Sequence, residues 1–175
     1  RHTDARLLLG LCYLNMNEPD RAIEELEKIP QIIPQDVESL SLISMAYREK
    51  GDFTKSLEYL EKAINISSDD INLRLQLAET YDLAKEDEKA LREFDSILEK
   101  DPNNARAYSS LGIFYMNRGQ FERGITFLEK SSELSPLADI YYYLGFAYKK
   151  VGRNREAVET LKRFIKMASP QDQEE

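Results

Sequence analysis

The chain holds one cysteine, one histidine and no tryptophan in 175 residues, and only seven glycines and six prolines. A single thiol excludes an internal disulfide framework and any site built from several thiolates. Cys12 lies beside Leu11 and Tyr13 in a helical pattern and reads as a small, buried apolar residue. His2 is the sole imidazole, which leaves no material for a histidine-based triad or a multi-histidine metal site. No stretch approaches the roughly 18 apolar residues of a membrane span. Arg1-His2-Thr3-Asp4 leads straight into a helical pattern and does not resemble a signal peptide. The first residue is not methionine, so the chain reads as a piece of a longer protein. The lack of a leader therefore says little, and a soluble, cytoplasmic setting is only the default expectation.

Basic charge is also in short supply: 24 Lys and Arg stand against 32 Asp and Glu, a net charge of −8. Nucleic acid binding needs clustered cations to replace counterions, and anionic membrane surfaces attract the same clusters. Neither partner is expected.

What the chain does have is an internal repeat, the feature that decides architecture. Tyr13, Tyr47, Tyr81, Tyr115 and Tyr148 recur at intervals of 34, 34, 34 and 33 residues. An aliphatic residue sits four positions before each (Leu9, Ile43, Leu77, Leu111, Leu144) and a small one three before (Gly10, Ser44, Ala78, Gly112, Gly145). Nine positions after each comes a second small residue (Ala22, Ser56, Ala90, Gly124, Ala157), then a large apolar one (Leu26, Leu60, Phe94, Leu128, Leu161). Proline closes most units, at Pro34, Pro102, Pro136 and Pro170.

Two amphipathic helices per unit explain the spacing. Leu9 and Tyr13 are four apart and share a face of one helix; Ala22 and Leu26 share a face of the next. Small residues mark where two helix backbones approach closely. Turn signals such as Gly51-Asp52, Gly119-Gln120 and Gly152-Arg153-Asn154 separate the helices, and Asp101-Pro102-Asn103-Asn104 separates units. The pattern predicts ten antiparallel helices: 4–16 and 19–29, 36–50 and 53–66, 70–84 and 87–100, 104–118 and 121–134, 138–151 and 154–168.

This succession resembles the tetratricopeptide repeat family, over nearly the whole chain. The resemblance implies an all-α fold, a right-handed superhelical solenoid in which each unit buries its apolar face on its neighbours. The expected organisation is one array over 1–171, with repeats at about 3–36, 37–70, 71–104, 105–137 and 138–171, and a disordered tail at 172–175. Departures from the family pattern are the early tryptophan slot, filled by Arg6, Leu40, Arg74, Tyr108 and Tyr141; Ser56 in place of the second unit's alanine; and Lys85-Glu86-Asp87 in place of a glycine turn.

No catalytic constellation stands out, and neither a cofactor nor a metal is implied. Glu24, Glu25 and Glu27 fall on a helix face away from the apolar comb, Asp69, Asp70 and Asp101 fall at helix starts that need caps, and Asn65-Ile66-Ser67 is a glycosylation acceptor only in a secreted chain. In the family the first helix of each unit lines an inner groove. Taking Leu9 and Tyr13 as buried, the opposite side presents Leu7, Leu11 and Leu14; then Ser41, Met45 and Arg48; Leu75, Glu79 and Asp82; Ser109, Ile113 and Met116; Tyr142, Phe146 and Lys149. Such a groove is largely apolar with a polar, partly acidic waist, the kind of surface that marks a protein contact. Packing between neighbouring first helices is the competing account of these apolar side chains. The family's carboxylate clamp for chaperone tails requires Lys, Asn and Arg at set places. Here Leu7, Leu11, Leu42, Asn72 and Gln76 fill them, so such a tail is not the expected ligand.

Charge is uneven. Residues 138–170 carry seven basic against three acidic groups, while 1–137 carry 17 against 26. The last helix also presents a broad apolar surface of Ala157, Val158, Leu161, Phe164, Ile165 and Ala168. The primary expectation is a non-catalytic scaffold that binds a peptide or helix of a partner in the groove. The alternatives are a module that stacks end to end, self-associating through the last repeat, and a targeting region of a larger protein.

Overall fold

The computed structural model describes residues 2–168. Ten α-helices and no strand occur among the described residues: α1 (His2–Asn15), α2 (Pro19–Leu26), α3 (Val37–Lys50), α4 (Phe53–Ile66), α5 (Ile71–Leu83), α6 (Asp87–Lys100), α7 (Ala105–Asn117), α8 (Phe121–Leu134), α9 (Ala138–Lys150) and α10 (Asn154–Ala168). The all-α class and the helix count are those the repeat predicts. The expected disordered tail at 172–175 lies outside the described residues.

Helix starts follow from side-chain oxygens that satisfy the orphan amides of a first turn. Asp36 accepts from the Ser39 amide at 3.0 Å, Asp52 from Lys55 at 3.1 Å and Asn104 from Ala107 at 2.9 Å; Asp70 accepts from both Asn72 and Leu73. Asp36, Asp52, Asp70 and Asn104 are therefore caps, whereas Asp101 instead accepts from the Asn103 amide and the Asn104 side chain ahead of α7.

First helices end by one mechanism. Asn17, Gly51, Lys85, Gly119 and Gly152 all have positive φ, between 57° and 82°. The next residue in each case donates its amide to the comb tyrosine's carbonyl at 2.9 Å, closing a Schellman turn. Three units place glycine in this slot; Asn17 and Lys85 adopt the same conformation with a side chain attached. The absence of glycine in the third unit thus leaves the turn geometry unchanged and adds local strain.

Second helices cross the first helices at the small residues of the repeat. A Cβ on Gly10 or Gly112 would lie 2.5 Å from Leu26 or Leu128, and one on Gly124 would lie 3.0 Å from the Gly112 carbonyl. In the second unit Ser44 and Ser56 take these places and join their hydroxyls at 2.9 Å. The Ser56 substitution is therefore compensated by a partner at the same crossing. Among the described residues, no buried side-chain polar atom lacks a partner.

Helix α2 ends at Leu26, three residues earlier than expected. Pro30 disfavours helical geometry at Ile29, and residues 27–32 continue as turns with Ile29 still fully buried.

The chain divides into two compact units, Arg1–Glu93 and Phe94–Glu175, with the boundary inside α6. In the first, Leu14, Ala22, Ile23, Leu26 and Ile29 pack with Leu42, Ile43, Ala46 and Tyr47. In the second, Met116, Ile125 and Leu128 pack with Ile140, Leu144, Ala147 and Tyr148. Second helices therefore join successive first helices: α2 touches α1 and α3, and α8 touches α7 and α9.

Two expectations for α1 are corrected. Leu9 is 44% exposed and Cys12 is exposed, although Ile43, Leu77, Leu111 and Leu144 at the Leu9 position are all buried. On α3 and α9 this face packs against the preceding second helix, and among the described residues no second helix lies against it on α1.

Candidate functional site

The side of each first helix away from the tyrosine comb is the candidate surface, and the structure sorts its expected residues into three groups. Leu14, Leu75, Asp82 and Met116 are buried and leave the surface. Leu14, Asp82 and Met116 directly follow the comb tyrosine, about 100° around the helix from it, a direction that faces the unit's own second helix. Leu14 accordingly packs with Ala22 and Ile23 of α2, and a Cβ on Gly124 of α8 would lie 2.7 Å from Met116. Leu75 is only 1% exposed, and one residue on, Gln76 of α5 accepts from the Ser41 hydroxyl of α3 at 3.0 Å.

Leu7, Leu11, Met45, Arg48, Glu79, Ser109 and Ile113 are half-buried. Leu7, Leu11 and Met45 lean on the first unit's core. Arg48 of α3 pairs with Glu79 of α5 at 3.4 Å, giving the first unit the polar, partly acidic character read from its sequence. The remaining three, Tyr142, Phe146 and Lys149, are exposed.

Those exposed residues belong to an aromatic platform in the second unit. Tyr142 and Phe146 lie four apart on α9 and are 48% and 41% exposed. Phe121 of α8 meets Phe146 edge-on at 6.3 Å, Phe164 of α10 lies 5.5 Å from Tyr142, and the Lys150 ammonium sits 5.2 Å over the Phe146 ring. Each ring is held by a neighbour, so the platform is preorganised, and Lys149 and Lys150 supply positive charge at its end. Phe121, Phe164 and Lys150 were not part of the groove read from sequence because they lie outside the inner-face register, although Phe164 was read as part of the last helix's broad apolar surface. They reach the platform only through the packing of α8 and α10 beside α9.

A second recurrent cluster was not read from sequence. A cation lies over the ring of every comb tyrosine: Arg21 over Tyr13 at 4.2 Å, Lys55 over Tyr47 at 4.8 Å, Lys89 over Tyr81 at 5.2 Å, Arg123 over Tyr115 at 4.7 Å and Arg153 over Tyr148 at 4.6 Å. In two units a carboxylate on or just past the preceding second helix completes it. Tyr47 donates to Glu27 at 2.7 Å, and Tyr148 donates to Glu129 at 2.5 Å. Burial first, then the hydrogen-bonded carboxylate, push both phenols above their ordinary pKa. The visible signal was a basic residue eight positions after four of the five tyrosines.

No group of three or more His, Cys, Asp or Glu able to hold a metal occurs among the described residues. No helix among them is long and apolar enough to cross a membrane.

Comparison with known proteins agrees with this architecture. One tetratricopeptide repeat family model matches residues 1–45 and 47–111, and a second matches 105–136 and 138–170. The chain belongs to the tetratricopeptide repeat family. It is 30% identical over 138 residues, 75% of its length, to the anaphase-promoting complex subunit CDC16 of Saccharomyces cerevisiae. It is 34% identical over 170 residues, 92% of its length, to Superkiller protein 3 of Schizosaccharomyces pombe. It spans only 16% and 12% of those two proteins. The crystal structure of TTC0263, a thermophilic tetratricopeptide protein of Thermus thermophilus, superposes with a TM-score of 0.82 at 20% identity, covering 97% of this chain and 93% of that one. That likeness shows the fold: an all-α tetratricopeptide array.

Proposed function

We propose that this segment is a non-catalytic protein-binding scaffold. It captures an extended or helical partner segment on the inner face of its first helices, with the α9 platform as anchor. The observation that carries the reading is the exposure of Tyr142 and Phe146, each braced by another ring. Exposed aromatic rings that are already ordered lose little entropy on binding and are enriched among interface hot spots. Lys149 and Lys150 at the same helix end favour a partner whose apolar residues are followed by acidic ones. In the first unit, Leu7, Leu11 and Met45 offer a flatter, half-buried apolar surface beside the Arg48–Glu79 pair.

The absence of catalysis is part of the proposal. The sole histidine lies at the start of α1, and the acidic group of the candidate face, Glu79, is engaged by Arg48. CDC16 is, by its name, a subunit of the anaphase-promoting complex, consistent with a scaffold role for this chain.

Selection from a random peptide library tests the reading. The protein should enrich sequences with paired aromatic or aliphatic residues followed by Asp or Glu, and Phe146→Asp should enrich none of them. Equal enrichment by the variant overturns the assignment of α9.

A further inference from the structure

An aromatic stack between α7 and α8 ends in a pocket. Tyr108 and Tyr115 lie seven apart on one side of α7, and Phe127 of α8 stacks on both. It lies 5.3 Å from Tyr115 with the planes 5° apart, and 6.4 Å from Tyr108 with the planes 25° apart. The Arg123 guanidinium covers Tyr115 at 4.7 Å. At the other end, half-buried Tyr108 and Phe127 line a pocket of about 370 Å3 with Thr126, Glu129, Lys130 and Glu133, room for one long side chain.

The second repeat shows what the end of such a stack takes. It places Tyr47 and Tyr59 where the fourth repeat has Tyr115 and Phe127, and the two rings stack 5.7 Å apart. A cation covers each: Lys55 lies over Tyr47 at 4.8 Å and Lys62 over Tyr59 at 4.7 Å. Lys62 is steadied by Glu58, one turn earlier, at 2.7 Å. The fourth repeat matches Lys62 with Lys130 but replaces Glu58 by Thr126. Lys130 pairs instead with Glu133 at 3.5 Å, and among the described residues no cation lies over Phe127 or Tyr108. Tyr108 also replaces Leu40, so this stack is one ring longer, and its last ring borders the pocket.

Two carboxylates share the lining. Glu129 gives Oε1 to the Tyr148 hydroxyl and keeps its second oxygen, while Glu133 is 68% exposed and held by a surface pair of little worth. We propose that this pocket binds the guanidinium of an arginine in a basic partner segment, the cation lying over Tyr108 and donating to Glu129 and Glu133. A guanidinium suits the site better than an ammonium. It is flat, so it stacks on a ring while its N–H groups point outward in its own plane toward carboxylates. Arg123 already covers the opposite end of the same stack in this way. The chain's net charge of −8 favours approach of a basic segment. The pocket shares no residue with the α9 platform, so the inference stands whether or not that platform binds a partner.

The probe is N-acetyl-arginine amide, titrated into the full chain with its tyrosine and phenylalanine rings isotopically labelled and followed by two-dimensional NMR. Ring signals of Tyr108 and Phe127 should shift and saturate with a dissociation constant on the order of 1 mM, the scale for so small a ligand. The citrulline counterpart, equal in shape but uncharged, should shift neither ring, and the lysine counterpart should bind several-fold more weakly. Tyr108→Leu installs the second repeat's own residue and should weaken binding about fivefold, read at Phe127, the worth of one exposed cation–ring contact. Glu133→Gln, a change at an exposed position, should weaken it about two- to fivefold and keeps the test independent of any effect of Tyr108 on folding. Phe146→Asp should bind the probe as wild type does. Unmoved Tyr108 and Phe127 signals, equal binding of citrulline, or wild-type affinity in both Tyr108→Leu and Glu133→Gln overturns the site. Equal or tighter binding of the lysine counterpart overturns the assignment of a guanidinium.

Discussion

The hydroxyl of Tyr148 on α9 donates to Glu129 on α8 across 2.5 Å, and the Arg153 guanidinium lies 4.6 Å over the same ring. One side chain thus joins the second helix of one unit to both helices of the next. Tyr47 makes the same connection between Glu27 and Lys55 in the first unit.

These bridges predict a defined alkaline limit. Both phenols have folded pKa values raised above the unfolded value of about 10. Their contribution to stability is therefore complete below that value and is lost as pH rises through and beyond it. Denaturant unfolding should show little pH dependence from these groups near neutrality and a steep loss above about pH 10. The pair of changes Tyr47→Phe and Tyr148→Phe should flatten that loss. At neutral pH each change should lower stability by about 1–2 kcal/mol, because the partner carboxylate loses a donor.

Lys85 holds a turn conformation that three sister units assign to glycine. A side chain there carries strain of about 1–2 kcal/mol, partly offset in the unfolded state by the greater freedom of glycine. Lys85→Gly should accordingly raise the unfolding free energy by about 0.5–1 kcal/mol, and Gly51→Lys should lower it by a similar amount. Chemical denaturation of both variants checks the sign.

The crossing of α7 and α8 leaves no room for a methyl group on Gly112, which would stand 2.5 Å from Leu128 and 3.1 Å from the Gly124 carbonyl. Gly112→Ala should destabilise by about 1–3 kcal/mol through overpacking, even though alanine favours helices. Adding Leu128→Ala should cost less in that background than in the wild type. An additive double variant, measured by thermal unfolding, would contradict the close approach.

Leu75 and Phe146 stood together in the inner face read from sequence, and the structure separates them. Leu75→Asp buries a carboxylate without a partner and should cost at least about 4 kcal/mol, enough to threaten folding. Phe146→Asp should cost no more than about 1–2 kcal/mol, since the ring is exposed and makes one edge contact that the structure records with Phe121. Circular dichroism and melting of the two variants separate the core residue from the surface one.

The architecture was legible because it rests on a period. Five tyrosines with aliphatic and small residues in fixed register set helix identity, helix order and most boundaries within a few residues. The misplaced boundary, at Leu26, came from Pro30 acting on a helix whose apolar pattern runs on through Ile29. The candidate surface was less legible, because a single-helix period fixes which face points away from the comb but not what lies beyond it. Leu14 and Met116 sit one position past the comb and turn toward their own second helix, a direction that an opposite-face argument blurs. Leu9 and Cys12 carry the pattern of buried residues, yet burial at these positions depends on a second helix against that face, and none lies there among the described residues. The aromatic platform needed contacts across three helices, none of which a spacing records.

The central claim is that the exposed face of α9 binds a partner segment while the comb behind it holds the fold. The most direct test is calorimetric titration of one library-selected peptide into wild type, Phe146→Asp and Val158→Asp, the last an exposed α10 change outside the platform. The account predicts at least about a hundredfold loss of affinity for Phe146→Asp, the scale of an interface hot spot, with wild-type affinity for Val158→Asp and all three proteins folded. Equal affinity for wild type and Phe146→Asp, or equal loss in both variants, would contradict it.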